Sequence, residues 1–468
     1  MVPGPITPLL HEVIEGLKRE FHRLGHRVQE VPDSNTDAIL STARFNEPVP
    51  WRKALLFFAR QRFRLRRTPT VYTLVQVTPA DLQAWLDHFA KVLVRDPPDP
   101  ADYGFAGLAP QAYRVLWEQG RRGGPILALE RVVQAQTKSI RVLLVVGDDR
   151  PLAVYHFDLV GAHPCSQAEA PELLYEDIVL RMVTTLSTRE VNQHQVVDDP
   201  IPRSVWQQLN TPAAMGVAAQ QLGARRFFTE MVRIADLVQV PVVSDAVASQ
   251  YSEGCFATWD PTINALIATV TGSARPVEKG KITEDDLAVI VGVRPDSLGA
   301  LVRLVEGKRN DPPSTEAVEM MEMDRTLPTI RLDPGWGVST PVPVIRSRLH
   351  GHRGMLAYDP RSVEYVPLDP PYYRYPVSCG TDAQAWGIQA AFARSEALRN
   401  PEDARRVVFT VLPGHGVVIV EKWVPGKEPF QIIWEYMDAG ILEVENIIPQ
   451  GPMEYIPGNG GRMFLRSL

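Results

Sequence analysis

Ile140-Arg141-Val142-Leu143-Leu144-Val145-Val146 is the stretch that decides the fold class. Apart from Arg141 it is apolar throughout, without the alternation of a half-exposed strand. A strand covered on both faces has that pattern, and sheets covered on both faces belong to α/β proteins. Gly147-Asp148-Asp149 then turns the chain into a second strand-like run, Leu152 to Leu159, which predicts a hairpin at a sheet edge.

Upstream, Leu9 to Leu24 is amphipathic, with Val13, Leu17, Phe21 and Leu24 at helical spacing and Gly25 placed to end the helix. Strand-like runs follow at Asp37 to Thr42 and Thr70 to Val77, separated by a helix-like stretch from Trp51 to Arg60. Thr78 is placed to cap a helix over Ala80 to Val92, with Pro79 at its first position. This alternation predicts a Rossmann-like sheet. Asp96-Pro97-Pro98-Asp99-Pro100 reads as a surface loop, and helical segments follow at Pro110 to Gln119 and Ile126 to Lys138.

Downstream, helices are expected at Pro171 to Leu186 and Thr211 through Ile234, and strands at Leu266 to Thr271, Leu287 to Val293 and Leu301 to Val305. Beyond the Pro/Gly-rich Leu332 to Pro343 the runs are short and β-like: Val344 to Arg348, Met355 to Tyr358, Val363 to Val366, Val407 to Leu412 and Val417 to Trp423. One helix, Thr381 to Leu398, interrupts them. The expected class is therefore α/β, with Rossmann-like parallel or mixed sheet domains followed by a β-rich C-terminal region. Three domains are expected: residues 1–165, 166–335 (helix-rich) and 336–468.

Composition narrows the function classes. Hydrophobic residues at 45% and charged residues at 22% are ordinary globular values. The net charge of -6 gives no footprint for nucleic acid as a partner, although Arg60, Arg62, Arg64, Arg66 and Arg67 form a local basic stretch, read most simply as a solvated face. Cys165, Cys255 and Cys379 lack the spacing of a disulfide framework or a cysteine zinc site. Neither a secretory leader nor a membrane span is evident, so the expectation is a cytoplasmic protein with no membrane partner. A homo-oligomer fits the apolar content without being required by it.

No phosphate loop, zincin motif, nucleophile elbow or well-placed dinucleotide fingerprint is present. Four constellations remain. Glu253 stands beside Gly254 after a strand-like run, and can project from a sheet rim or simply favour a helix N-terminus. His350 and His352, two apart in a strand, point to one face, the spacing needed for two imidazoles to meet one metal. Their flanking Arg346, Arg348 and Arg353 suit a carboxylate or phosphate, or else form a solvated basic edge. His415 lies between Gly414 and Gly416, where backbone can approach a ligand or turn a hairpin. Ser378-Cys379-Gly380-Thr381-Asp382 opens a helix, as an anion or thiolate site or as plain capping. Glu306, at the end of an apolar run ahead of Glu316, is a further candidate to face a cleft.

Glu253-Gly254-Cys255-Phe256-Ala257-Thr258 resembles the Glu-Gly-polar-aromatic-x-Thr run that carries a metal-binding glutamate in L-arabinose isomerases, relatives of the L-fucose isomerases. In that family a second glutamate, a histidine and a late histidine follow; here Glu306, His350 or His352, and His415 come in the same order. The resemblance implies a divalent metal such as Mn²⁺ on Glu253, Glu306, His350, His352 and His415. It implies aldose–ketose isomerisation of a small-molecule substrate, a sugar, through an enediol, with Glu253 or Glu306 as base. The competing expectations are a thiol enzyme built on Cys255 or Cys379 with His415, and a non-catalytic binding protein using its basic stretches.

Overall fold

The computed structural model describes residues 6–44 (except 32 and 34), 70–87 (except 85 and 86), 140–157, 162–165, 171–187, 193–234, 248–272, 277–369 (except 338), 380–412, 415–445, 453–455 and 463–465. The expected helices at 51–60, 110–119 and 126–138, the loop at 96–100, the basic stretch at 60–67 and Cys379 lie outside these residues. The chain divides into two compact units, Met1–Leu186 with Met231–Gln250, and Ser187–Glu230 with Tyr251–Leu468.

In the first unit, β1 (Ala38–Arg44), β2 (Thr70–Val77) and β3 (Ile140–Val146) run parallel in that order. The expected hairpin is present: β4 (Ala153–Phe157) returns antiparallel to β3, pairing Val146 with Ala153, and β5 (Ala162–Cys165) extends the sheet. The sheet is thus mixed. Thr7 caps the helix Pro8–Arg23 by accepting from the Leu10 N–H, and Pro8 opens it where a missing N–H is harmless. Leu10, Ile14 and Leu17 of that helix pack with Ile178 and Met182 of the helix Pro171–Ser187 against Leu74, Leu143 and Val145. The Thr78 cap is also observed, accepting from the Asp81 N–H at 3.0 Å.

The second unit is built on a nine-stranded sheet. Its strands are β6 (Gln195–Val196), β9 (Cys255–Asp260), β10 (Ala265–Thr269), β11 (Leu287–Val293), β12 (Ala300–Arg303), β15 (Ile345–Gly351), β17 (Val363–Tyr365), β18 (Val407–Leu412) and β19 (Gly416–Lys422). The numbers between belong to two-stranded pairs: β7 (Thr229–Ile234) with β8 (Ala248–Glu253), and β13 (Thr329–Ile330) with β14 (Val342–Pro343), while β16 (Gly354–Ala357) pairs with β20 (Leu442–Glu445). The spatial order is β17-β18-β19-β15-β9-β10-β11-β12-β6. The boundary expected at 335 therefore runs through one sheet, because β15 hydrogen-bonds to β9 on one side and β19 on the other. Strands before and after that boundary share one core, so 166–335 and 336–468 are not separate bodies here.

Both faces of this sheet are covered. On one, Phe256, Leu349, Phe409 and Ile419 pack against the helices Thr211–Ala224 and Gln431–Asp438. On the other, Cys255, Ala257, Val418 and Val420 pack against the helices Ala317–Glu322 and Asp382–Phe392. Every residue of β15 and β19 is buried. Polar side chains on these two strands therefore need partners inside the protein.

Two helices end earlier than their pattern predicts. The helix expected to reach Ile234 stops at Ala224, because Arg226 takes a left-handed φ of 59° and Phe227 and Phe228 then dive into the core ahead of β7. The helix expected over 381–398 breaks after Phe392, and Ser395 caps a new turn by accepting from the Leu398 N–H. Among the described residues no helix is long and apolar enough to cross a membrane.

Candidate metal centre

Strand alternation sets the site. Ser347 and Leu349 point to one face of β15, so Arg348 and His350 point to the other, while Arg346 sits at a register shift between Ile345 and Ser347. His350 lies opposite Cys255 of β9 and Val418 of β19. His352 follows just beyond the end of β15, and His415 immediately precedes β19. The three rings meet edge to face or tilted, with centroids 4.7 Å apart for His350 and His415, 5.0 Å for His352 and His415, and 5.1 Å for His350 and His352. The sequence pairing of His350 with His352, and of both with His415, is thus realised in space.

The acidic member of the group is Glu316. One donor atom from each of Glu316, His350, His352 and His415 lies within 4.8 Å of the others, and all four residues are buried. Donors on one ion at bonds of about 2.0 to 2.2 Å stand roughly 3 to 4.4 Å apart, so the group is close to a coordination shell. Glu316 precedes the helix Ala317–Glu322 and accepts a hydrogen bond from Ser314 Oγ.

Glu253 and Glu306, the glutamates expected from sequence, are not in this group. Glu253 is the last residue of β8 and partly exposed; across the Gly254 turn it is Cys255 that comes opposite His350. Glu306 stands exposed in a turn, its N–H bonded to the Ile201 carbonyl at 3.0 Å. Glu316 lay in the same acidic stretch of sequence. Its signal was a Pro312-Pro313-Ser314-Thr315 run leading into a short helix, which reads equally well as plain helix initiation.

The arginines are not a solvated edge. Arg348 is buried against Asp324 in an ion pair, and Arg346 lies 5.0 and 5.1 Å from the ring centres of Trp336 and Trp423 while donating to the Lys427 carbonyl. Arg353 is buried as well. The glycine beside His415 serves strand packing: a Cβ on Gly416 would lie 2.0 Å from the Gly351 carbonyl oxygen, between the two other histidines in sequence. The close approach is that of one strand to another.

Electrostatics favour a neutral imidazole at His350. Burial, reinforced by the charge of His352, pushes His350 down to about 4 against the pull of Glu316 and the backbone of Val417, and neither ring nitrogen of His350 has a well-aligned hydrogen-bond partner among the described residues. Neutral, lone-pair-bearing imidazole is the metal-binding form. Glu319, one turn along the helix from Glu316, is fully buried; burial and the Glu316 charge push its carboxyl well up, and neither oxygen has a partner among the described residues. Burial, then Glu316 and Glu319, also push the Cys255 thiol well up, which leaves it protonated and a poor nucleophile.

Three imidazoles and one carboxylate suit a borderline divalent ion of the zinc, iron or manganese kind. Glu316 is the carboxylate of the group, and its charge would partly compensate that of the ion. Comparison of the chain with protein-family models, with curated proteins and with solved structures finds no match in any of the three.

Proposed function

We propose that the second unit binds one divalent transition-metal ion at His350, His352, His415 and Glu316, and that the protein is a metal-dependent enzyme. The observation that carries this reading is the convergence of four buried donors from three chain segments within 4.8 Å. Such an ion supplies Lewis acidity, polarising a carbonyl or lowering the pKa of bound water. The aldose–ketose isomerase reading asks for a carboxyl beside the ion to move a proton between neighbouring carbons. With Glu316 spent as a ligand, that group is Glu319 and not Glu253 or Glu306; burial and the Glu316 charge hold its carboxyl well up, so it would take the proton only once the charge of a bound ion had drawn off its own. Manganese and a sugar substrate belong to this proposal. The Rossmann-like reading of the first unit rests on its three parallel strands, β1 to β3.

Equilibrium titration of metal-stripped protein with Zn²⁺, Co²⁺ and Mn²⁺ tests the centre. One equivalent should bind, and His350→Ala and Glu316→Ala should each weaken binding at least about 100-fold, whereas Glu253→Ala and Glu306→Ala leave it unchanged. Equal binding in all four variants removes the assignment. Ketose formation from aldopentoses by loaded protein, lost in Glu319→Gln, tests the isomerase step separately.

A further inference from the structure

Gln384 stands three residues into the fold of the helix Asp382–Phe392, whose cap Thr381 accepts from the Gln384 N–H at 3.3 Å. Its side chain does not close the usual reciprocal box onto Thr381. Instead Oε1 accepts from the Gly380 N–H at 3.1 Å, and Nε2 lies 3.1 Å from His415 Nδ1. A backbone N–H can only donate, so the end of the amide facing Gly380 is the oxygen. The NH₂ end therefore faces His415, and Nδ1 must accept.

A neutral imidazole that accepts at Nδ1 carries its hydrogen on Nε2. Nε2 is the nitrogen left to meet an ion, and in this arrangement it has no lone pair to offer. Ligation through Nε2 requires the hydrogen to sit on Nδ1, where it would confront the amide NH₂, donor against donor. Rotation of the amide by half a turn resolves that clash by bringing Oε1 to Nδ1–H. The same rotation turns the NH₂ towards the Gly380 N–H and ends that bond. Gly380 holds a φ of 74°, and a Cβ there would lie 2.4 Å from the carbonyl oxygen of Thr315, the residue before Glu316. The segment released by the rotation is thus packed against the segment that delivers the fourth ligand.

From this geometry we infer that Gln384 is a positioning residue that latches His415 in its non-ligating tautomer, and that metal uptake turns the amide over and frees the Gly380 N–H. The inference rests on the metal-centre reading above. Its distinctive consequence is that the native residue is not the tightest-binding one. A carboxylate at 384 accepts from Gly380 N–H and from His415 Nδ1–H together, with nothing to turn over, and a carboxylate behind a ligating histidine strengthens it.

The test combines metal affinity with tautomer. Gln384→Glu should bind Zn²⁺ about tenfold or more tightly than wild type, while the thermal midpoint of the metal-free proteins stays comparable. Nitrogen NMR of His415 in metal-free wild type should show the Nε2–H tautomer, changing to Nδ1–H on Zn²⁺ addition. A Gln384→Glu affinity equal to or weaker than wild type, or an Nδ1–H tautomer in metal-free wild type, overturns the latch. Wild type that binds no ion but shows the Nε2–H tautomer would instead strike at the metal centre and leave the Gln384 contact standing. The wild-type NMR measurement decides the latch even where the variant fails to fold.

Discussion

Glu421 on one side of β15 and β19, and His350 with Glu319 on the other, are buried in opposite ways. On the face towards the helix Gln431–Asp438, Glu421 is fully buried and accepts from the N–H groups of Phe430, Ile432 and Ile433 at 2.9, 3.0 and 3.3 Å, with Ser347 Oγ beside it. Burial still lifts its carboxyl to about 7, against Arg346 and those donors. On the other face His350 and Glu319 are as deeply buried, yet neither has a well-aligned hydrogen-bond partner on its side chain among the described residues, His350 having only the backbone of Val417 near it. A buried polar group that the protein satisfies itself anchors the fold; one left unsatisfied lowers stability unless something else satisfies it. The difference separates Glu421, an anchor of the fold, from the group proposed to hold an ion.

Breaking the satisfied side should hurt most. Glu421→Ala strands the Ile432 and Ile433 N–H groups at the start of a helix, while the Phe430 N–H keeps Ser347 Oγ, and is expected to destabilise the protein by about 4 kcal/mol in urea unfolding, with Glu421→Gln milder. A loss below about 1 kcal/mol would erase the contrast between the faces.

The unsatisfied side is sharpened by pH. His350 is lowered to about 4 in the folded protein from 6.5, so the unfolded chain takes up its proton first and stability falls as pH drops from 6.5 towards 4. Glu421 runs the other way: raised to about 7 from 4.5, it favours the folded state as pH falls through that window. The two oppose, so the total curve is uninformative and the difference between wild type and His350→Leu is the measurement. The variant should gain on metal-free wild type by about 3 kcal/mol between pH 7 and pH 4. Parallel curves would mean that His350 is not held neutral by its surroundings.

The smallest effect has the opposite sign from ordinary core damage. Glu319→Met replaces a buried, unpartnered carboxyl with an apolar chain of similar length and should stabilise the metal-free protein by about 1 kcal/mol in thermal unfolding. A destabilised variant would show that Glu319 is bonded and belongs with Glu421.

Much of this was legible in the chain. β3, β11 and β18 are apolar runs that burial on both faces demands, and the i, i+2 spacing of His350 and His352 on a strand was enough to pair them. Glu316 was not legible, because its closeness to His350 comes from a helix laid across the sheet, and no local pattern encodes that contact. Glu253 and Glu306 drew attention by following apolar runs, but a strand end and a turn carry side chains outward as readily as inward. The arginines misled for a related reason: charged residues alternating with Ile345, Ser347 and Leu349 read as an exposed edge unless Asp324 or the Trp336 and Trp423 rings are known to await them. The break after Ala224 was hidden because Phe227 and Phe228 continue an apolar pattern whose backbone direction changes at Arg226.

The four donors reach the centre from three separate stretches of chain, the outermost roughly a hundred residues apart. An ion seated there would act as a reversible cross-link, tying the start of one helix and the ends of two strands into a single knot. Its entropic effect falls on the unfolded chain, which would lose the freedom of two long loops at once. Local opening of the 315–316 segment would then require the ion to be released first, so metal supply and mechanical integrity of this sheet would be coupled quantities.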